Sequence, residues 1–234
     1  MPHLHMGERD LDRHVYRIMK REHVVEAFDR KQIAFAPPSS WPDGFENFQL
    51  KLGSDLAGAP LDPALREGVV GQCWTRSYLA DWMWAAYARP GSSHLRIRST
   101  PRRLLRALVA AHPGLEQRCF VGRVRYRGEG ALKAIVEAGV DGSAPAAFAE
   151  ALMLKRRAFA HEREVRLLYF GEAEARSSDG LYRWNADPRD LITQIMAPPT
   201  GDGRGWETEK ARIRRETTFA GEIRRSKLYD PPSW

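Results

Sequence analysis

Cysteine is nearly absent: Cys73 and Cys119 are the only two in 234 residues. Two thiols cannot by themselves close a zinc site, and both stand among apolar neighbours, so the sequence predicts buried, reduced cysteines. No apolar run comes near the roughly 18 residues that a membrane-spanning helix needs. Met1 to Asp12 is polar and lacks the apolar core of a signal peptide, which predicts a cytoplasmic protein with a flexible tail over residues 1–12. Also missing are a Walker loop, G-x-G-x-x-G, H-E-x-x-H and H-x-E…C-x-x-C. A P-loop NTPase and a Rossmann enzyme are thereby disfavoured. Internal repeats, heptads and low-complexity stretches are lacking too, and no cluster of ligating side chains predicts a metal.

Acidic residues are outnumbered, 30 against 37 Lys and Arg, for a net charge of +7. The excess gathers in Arg96, Arg98, Arg102, Arg103 and Arg106, in Lys155, Arg156 and Arg157, and in Arg212, Arg214, Arg215, Arg224 and Arg225. Such a balance favours a polyanionic partner, a nucleic acid or a nucleotide bearing several phosphates, though a merely soluble basic surface has the same composition. Hydrophobic residues at 43% and charged residues at 29% describe an ordinary globular protein. One elaborated domain over residues 1–234 is expected. Strands are predicted at Gln32 to Ala36, Val69 to Trp74, His94 to Ser99, Phe120 to Tyr126 and Leu191 to Met196. Helices are predicted at Arg21 to Arg30, Leu79 to Arg89, Pro101 to about His112 and Phe148 to Phe159, with a loop over Thr200 to Glu209. They interleave without a regular β-α-β rhythm, so the class is α+β.

The densest signal is His161 to Phe170, where Glu162-x-Glu164 runs into Val165-Arg166-Leu167-Leu168-Tyr169-Phe170. Read as one strand, it puts Glu162, Glu164 and Arg166 on one face and Val165, Leu167 and Tyr169 on the other. Two carboxylates at a strand mouth make a compact anionic site; the plainer reading is Glu164 paired with Arg166 on a solvated face. Thr75 and Ser77 follow the apolar run Val69 to Trp74, and their hydroxyls either brace such a carboxylate or cap the next helix. Arg17 stands in the apolar window Val15 to Met19, where its fork either meets phosphate or points to water. Met83, Trp84 and Tyr87 at helical spacing read as core.

Trp41-x-Asp43-x-Phe45-Glu46, Cys73-Trp74-Thr75-x-Ser77, Met83-Trp84-x-x-Tyr87 and Phe159-x-x-Glu162-x-Glu164-Val165-Arg166 together resemble a bacterial and phage family catalogued as a domain of unknown function. The resemblance spans about Arg17 to Tyr229. It departs at Pro42 and Gly44, which stand where that family has Asn and Pro. The order of Arg17, then Trp74-Thr75-x-Ser77, then Glu162-x-Glu164-Val165 also resembles the Arg-Ser-Glu class of ADP-ribosyltransferases. This resemblance implies a split, mainly antiparallel sheet with flanking helices and NAD as the substrate. It further implies that Glu164 stabilises an oxocarbenium-like ribose, Glu162 orients the acceptor, Arg17 clamps the pyrophosphate, and Trp74, Thr75 and Ser77 position ribose and carboxylate. Arg102, Arg103, Arg106, Lys155 and Arg157 would lead a nucleic-acid acceptor to the site, with a protein acceptor as the alternative. Family context implies a toxin or phage-defence effector with an antitoxin or immunity partner. Two rivals stay open. One is a metal-dependent nuclease built on Asp43, Glu46, Glu162 and Glu164; the other is a non-enzymatic nucleic-acid-binding module whose Glu164 is buried against an arginine with no pocket beside it.

Overall fold

A computed structural model describes residues 3–41, 62–78, 81–87, 93–137, 144–199 and 203–230. Its strands in chain order are β1 (His3–Leu4), β2 (Val15–Lys20), β3 (Gln32–Phe35), β4 (Val69–Thr75), β5 (His94–Ser99) and β6 (Cys119–Arg123). Then come β7 (Arg125–Arg127), β8 (Leu154–Arg156), β9 (Glu164–Phe170), β10 (Tyr182–Asn185), β11 (Gln194–Ala197) and β12 (Glu222–Arg225). Eight of them form one sheet in the order β1-β6-β9-β4-β2-β5-β11-β12. Only its outer pairs, β1–β6 and β11–β12, run parallel, so the sheet is mainly antiparallel.

Period-two alternation along β9 gives the sheet two different faces. Val165, Leu167 and Tyr169 join the larger core with Val70, Trp74 and Val121. That face is covered by the helix Pro101–Ala111, whose Leu104, Leu105 and Leu108 form one apolar stripe and whose N-terminus is capped by the Thr100 hydroxyl. On the opposite face Leu168 and Phe170 pack against Phe120, Phe148, Leu152 and Met153. Glu164 and Arg166 share this second face.

The sheet is split in the middle. β4 pairs with β9 along seven residues and β2 with β5 along six, yet β2 meets β4 through the single pair Tyr16↔Thr75. Beyond that pair the strands diverge and a gap opens between the two half-sheets.

Several boundaries depart from the sequence reading. The expected N-terminal tail is part of the fold: β1 pairs with β6, and Met6 and Leu11 are buried in the larger core. The helix expected at Phe148 to Phe159 is a short one, Pro145–Ala151, followed by β8 and a 3₁₀ turn at Arg157–Glu162. The run Phe120 to Tyr126 is broken at Val124 into β6 and β7, and β7 pairs with β8 away from the main sheet. Trp206–Thr217 is a helix, and its first turn falls where a loop was expected. Only Ile213 and Thr217 are buried along it, so no apolar period was legible; Arg21 holds it by ion pairs to Glu209 and Glu216. The turn from Asp43 to Glu46 lies outside the described residues. Among the described residues no helix is long and apolar enough to cross a membrane.

Candidate active site

The chain reaches β9 through the 3₁₀ turn Arg157–Glu162 and then Arg163, which adopts the left-handed conformation at φ 46°. β9 therefore begins at Glu164, and Glu162 is not on the strand at all. The two carboxylates meet nevertheless, because the turn folds Glu162 back over β8. Lys155 Nζ lies 2.5 Å from Glu162 Oε2 and 3.2 Å from Glu164 Oε2. Arg166, two residues further along β9, grips Glu164 in a fork: Nε to Oε1 at 3.1 Å and Nη2 to Oε2 at 3.0 Å. Its Nη1 donates to the Leu152 carbonyl at 2.5 Å, and the Trp41 ring covers the guanidinium at 4.4 Å. Arg166 is 0% exposed and Glu164 4%. The pair is thus buried, where a solvated face was the plainer expectation.

Burial pushes the Glu164 carboxyl up, but the Arg166 and Lys155 charges outweigh it and hold it down at about 2. A second carboxylate nearby would by itself raise the pKa of Glu164. Two interposed cations reverse that, and Glu164 is an anion throughout the physiological range. Because its folded pKa is depressed, the stabilisation it brings is complete above its ordinary 4.5 and is lost as pH falls towards 2. The stability advantage of the native chain over Glu164→Gln should therefore shrink between about pH 5 and pH 3 in thermal melts. A constant gap would mean that Glu164 titrates normally.

Thr75 and Ser77 act on the turn. The Thr75 hydroxyl donates to the Glu162 carbonyl at 2.5 Å, the Ser77 amide donates to Thr75 Oγ1 at 3.0 Å, and the Ser77 hydroxyl donates to the His161 carbonyl at 3.3 Å. On the other side, the Glu164 amide donates to the Tyr126 hydroxyl at 2.8 Å. These bonds fix the backbone from which both carboxylates project. Thr75→Val keeps the shape and removes one of them. It should cost about 1 kcal/mol of stability, and any turnover at the site should fall more than ligand affinity. Equal falls in both would place Thr75 on the ligand instead.

A cleft of about 570 Å³ opens beside the carboxylates, at the split in the sheet. Arg17, Trp74, Thr75, Lys155, Glu162 and Glu164 all border it. Arg17 Nη1 donates to the Cys73 carbonyl at 2.9 Å, tying β2 to β4 where their ladder has ended. Ser77 is absent from the lining and stands behind Thr75. Of the basic residues expected to lead an acceptor in, Lys155 is inside the carboxylate cluster, and Arg157 is exposed on the turn between Arg156 and Phe159, both of which line the cleft.

Arg102, Arg103 and Arg106 do not border it. They ride on the helix Pro101–Ala111, which covers the other face of the sheet. Arg102 is held there by Asp12 at 2.7 Å and Glu8 at 2.9 Å, Arg103 donates to the Asp190 carbonyl at 3.0 Å, and the groove they share also contains Asp187. The sequence reading offered the Glu164–Arg166 pair but placed it on a solvated face, and it missed the structural parts of Tyr126 and Trp41. The i, i+2 spacing of Glu164 and Arg166 was the one available signal, since such residues share a strand face. Of the four carboxylates in the nuclease alternative, Asp43 and Glu46 lie outside the described residues, and Glu162 and Glu164 converge on Lys155.

No protein-family model matches the chain, and no curated protein matches its sequence. The four-motif resemblance thus has no family model behind it. Among solved structures, the chain is similar to DarT of Thermus sp. 2.9 in complex with NAD+, at 13% identity and a TM-score of 0.42, covering 94% of this chain and 98% of that one. The same protein in complex with ADP-ribosylated ssDNA matches at 12% identity and 0.43, covering 99% and 100%. Its complex with carba-NAD+ matches at 14% and 0.42, covering 97% and 100%.

Proposed function

We propose that this cleft is the active site of an ADP-ribosyltransferase, which cleaves the nicotinamide–ribose bond of NAD and passes ADP-ribose to a macromolecular acceptor. The observation that carries this reading is the meeting of Glu162, Glu164, Thr75, Trp74 and Arg17 around one cleft at the split of the sheet. Its volume falls within the roughly 300–1,000 Å³ usual for small-molecule sites. As the C–N bond breaks, positive charge develops on the ribose, and a carboxylate that is ionised beforehand stabilises it without reorganisation. Glu164 meets that need, being buried and fixed by Arg166 and Lys155. Nicotinamide leaves with the bonding electrons, the acceptor's nucleophile forms the new bond to the ribose carbon, and its proton passes to Glu162, the more accessible carboxylate. Arg17 and Trp74 hold the dinucleotide across the split.

Nucleic acid is the acceptor we favour, reached over the exposed Arg157, with Arg102, Arg103 and Arg106 serving at most as a distant binding surface on the far face. The binding-module alternative required Glu164 to be buried against an arginine with no pocket beside it; the first condition holds and the second does not. The test is incubation with NAD labelled in the adenylate phosphate, together with single-stranded DNA, RNA or protein extract, reading nicotinamide release and label transfer. Transfer to an oligonucleotide is expected. NAD left intact with every acceptor would overturn the reading, and transfer to protein alone would overturn the choice of acceptor.

A further inference from the structure

A second cation sits just behind the cleft, on the other half-sheet. Arg96 of β5 is 3% exposed, and its guanidinium packs against a touching pair of aromatic rings, 4.8 Å from the centre of Tyr16 and 5.0 Å from that of Tyr78, whose own centres are 5.5 Å apart. Nη1 donates to the Tyr78 carbonyl, while Nη2 is buried with no hydrogen-bond partner. Among the described residues no carboxylate pairs with it, and its charged neighbour Arg98 is of like sign. Buried charges are normally paired, since desolvating an ion without a counter-ion is among the costliest things a fold can do. Two tyrosine faces offset part of that cost, but they leave Nη2 unanswered.

The surroundings show what the missing partner is. Tyr16, whose ring lies against Arg96, also lines the cleft, so the guanidinium is one side chain away from any ligand there. Its outer cover, Tyr78, is 41% exposed and sits beyond the end of β4, so it can swing out without breaking the sheet. A planar guanidinium with a spare donor matches a phosphate oxygen better than any neutral group. We infer that Arg96 is an anion subsite, which takes a phosphate group of the ligand in the cleft once Tyr78 moves aside. This deepens the transferase reading and rests on it for the ligand's identity; the anion chemistry itself does not depend on which bond is broken. The energetic logic is that of a functional site left incomplete in the free protein.

Inorganic pyrophosphate is the probe, titrated calorimetrically and in thermal melts against the native chain, Arg96→Met and Arg96→Lys. Pyrophosphate should bind the native chain and raise its melting temperature. Arg96→Met should weaken that binding by about ten- to a hundredfold, the loss of one charge-assisted contact, with Arg96→Lys in between. Without pyrophosphate, Arg96→Met should melt no lower than the native chain, because it removes an unpaired buried charge. A purely structural arginine gives the opposite pattern, and a lowered melting temperature with unchanged pyrophosphate affinity would overturn the inference. So would a native chain that does not bind pyrophosphate. The two ideas fail separately. Pyrophosphate binding lost in Arg96→Met, in a protein that never consumes NAD, keeps the subsite and removes the transferase. NAD turnover with an unchanged KM in Arg96→Met keeps the transferase and removes the subsite.

Discussion

Glu164→Gln is expected to cut NAD consumption by about two to three orders of magnitude, the usual effect of removing a preorganised charge from the position where transition-state charge develops. The amide keeps the size of the carboxylate and can still accept from one nitrogen of Arg166, so the local packing survives. What is lost is the full negative charge. Chromatographic assay of nicotinamide release gives the rate, and ADP-ribose binding by calorimetry should change far less than that rate. A variant that consumes NAD at the native rate would remove Glu164 from the chemistry. Glu162→Gln should behave differently: slow hydrolysis of NAD should outlast transfer, because water needs less help than a large acceptor.

Removing the other half of the buried pair should show in stability first. Arg166→Leu leaves Glu164 inside the protein with Lys155 as its remaining cation, strips a donor from the Leu152 carbonyl and takes the guanidinium from under Trp41. Breaking a buried, hydrogen-bonded ion pair from one side typically costs about 3–5 kcal/mol, chiefly because the abandoned charge cannot reach water. Urea unfolding measures this directly. A loss below about 1 kcal/mol would mean that the pair is far better solvated than its burial indicates. The double variant Glu164→Gln, Arg166→Leu should cost less than the sum of the two singles, since no unpaired carboxylate remains.

The half-sheet that bears the carboxylates was largely legible in the sequence. β4 and β9 are long runs of alternating or continuous apolar residues, and such runs announce themselves. The α+β class and the split sheet match the expectation. What escaped was anything held by polar contacts. The Trp206–Thr217 helix carries few apolar residues and is anchored by Arg21, and β1 is two residues long. Neither leaves a period to read. At the site, the residue types were visible but their geometry was not. Glu162 and Glu164 were read as strand neighbours, whereas a 3₁₀ turn and the left-handed Arg163 bring them together. Lys155 was taken for a surface contact because nothing in the spacing says that its amine ends between two carboxylates. The helix of Arg102, Arg103 and Arg106 was predicted at the right residues; which side of the sheet it covers is a long-range fact that local sequence does not carry.

The one-pair junction at Tyr16 and Thr75 has a mechanical consequence. A continuous sheet is stiff because every strand is laced to the next along its length, whereas here the lacing between the two halves narrows to a single stitch and the Arg17 tie beside it. Lys155, Glu162 and Glu164 stand on one bank of the gap, and Tyr16 and Arg96 on the other. A molecule gripped from both banks is then a crossbar, supplying stiffness that the backbone withholds. Amide exchange in β2 and β4 should slow on binding well beyond the residues the ligand touches, because bracing one half against the other suppresses their opening as a unit.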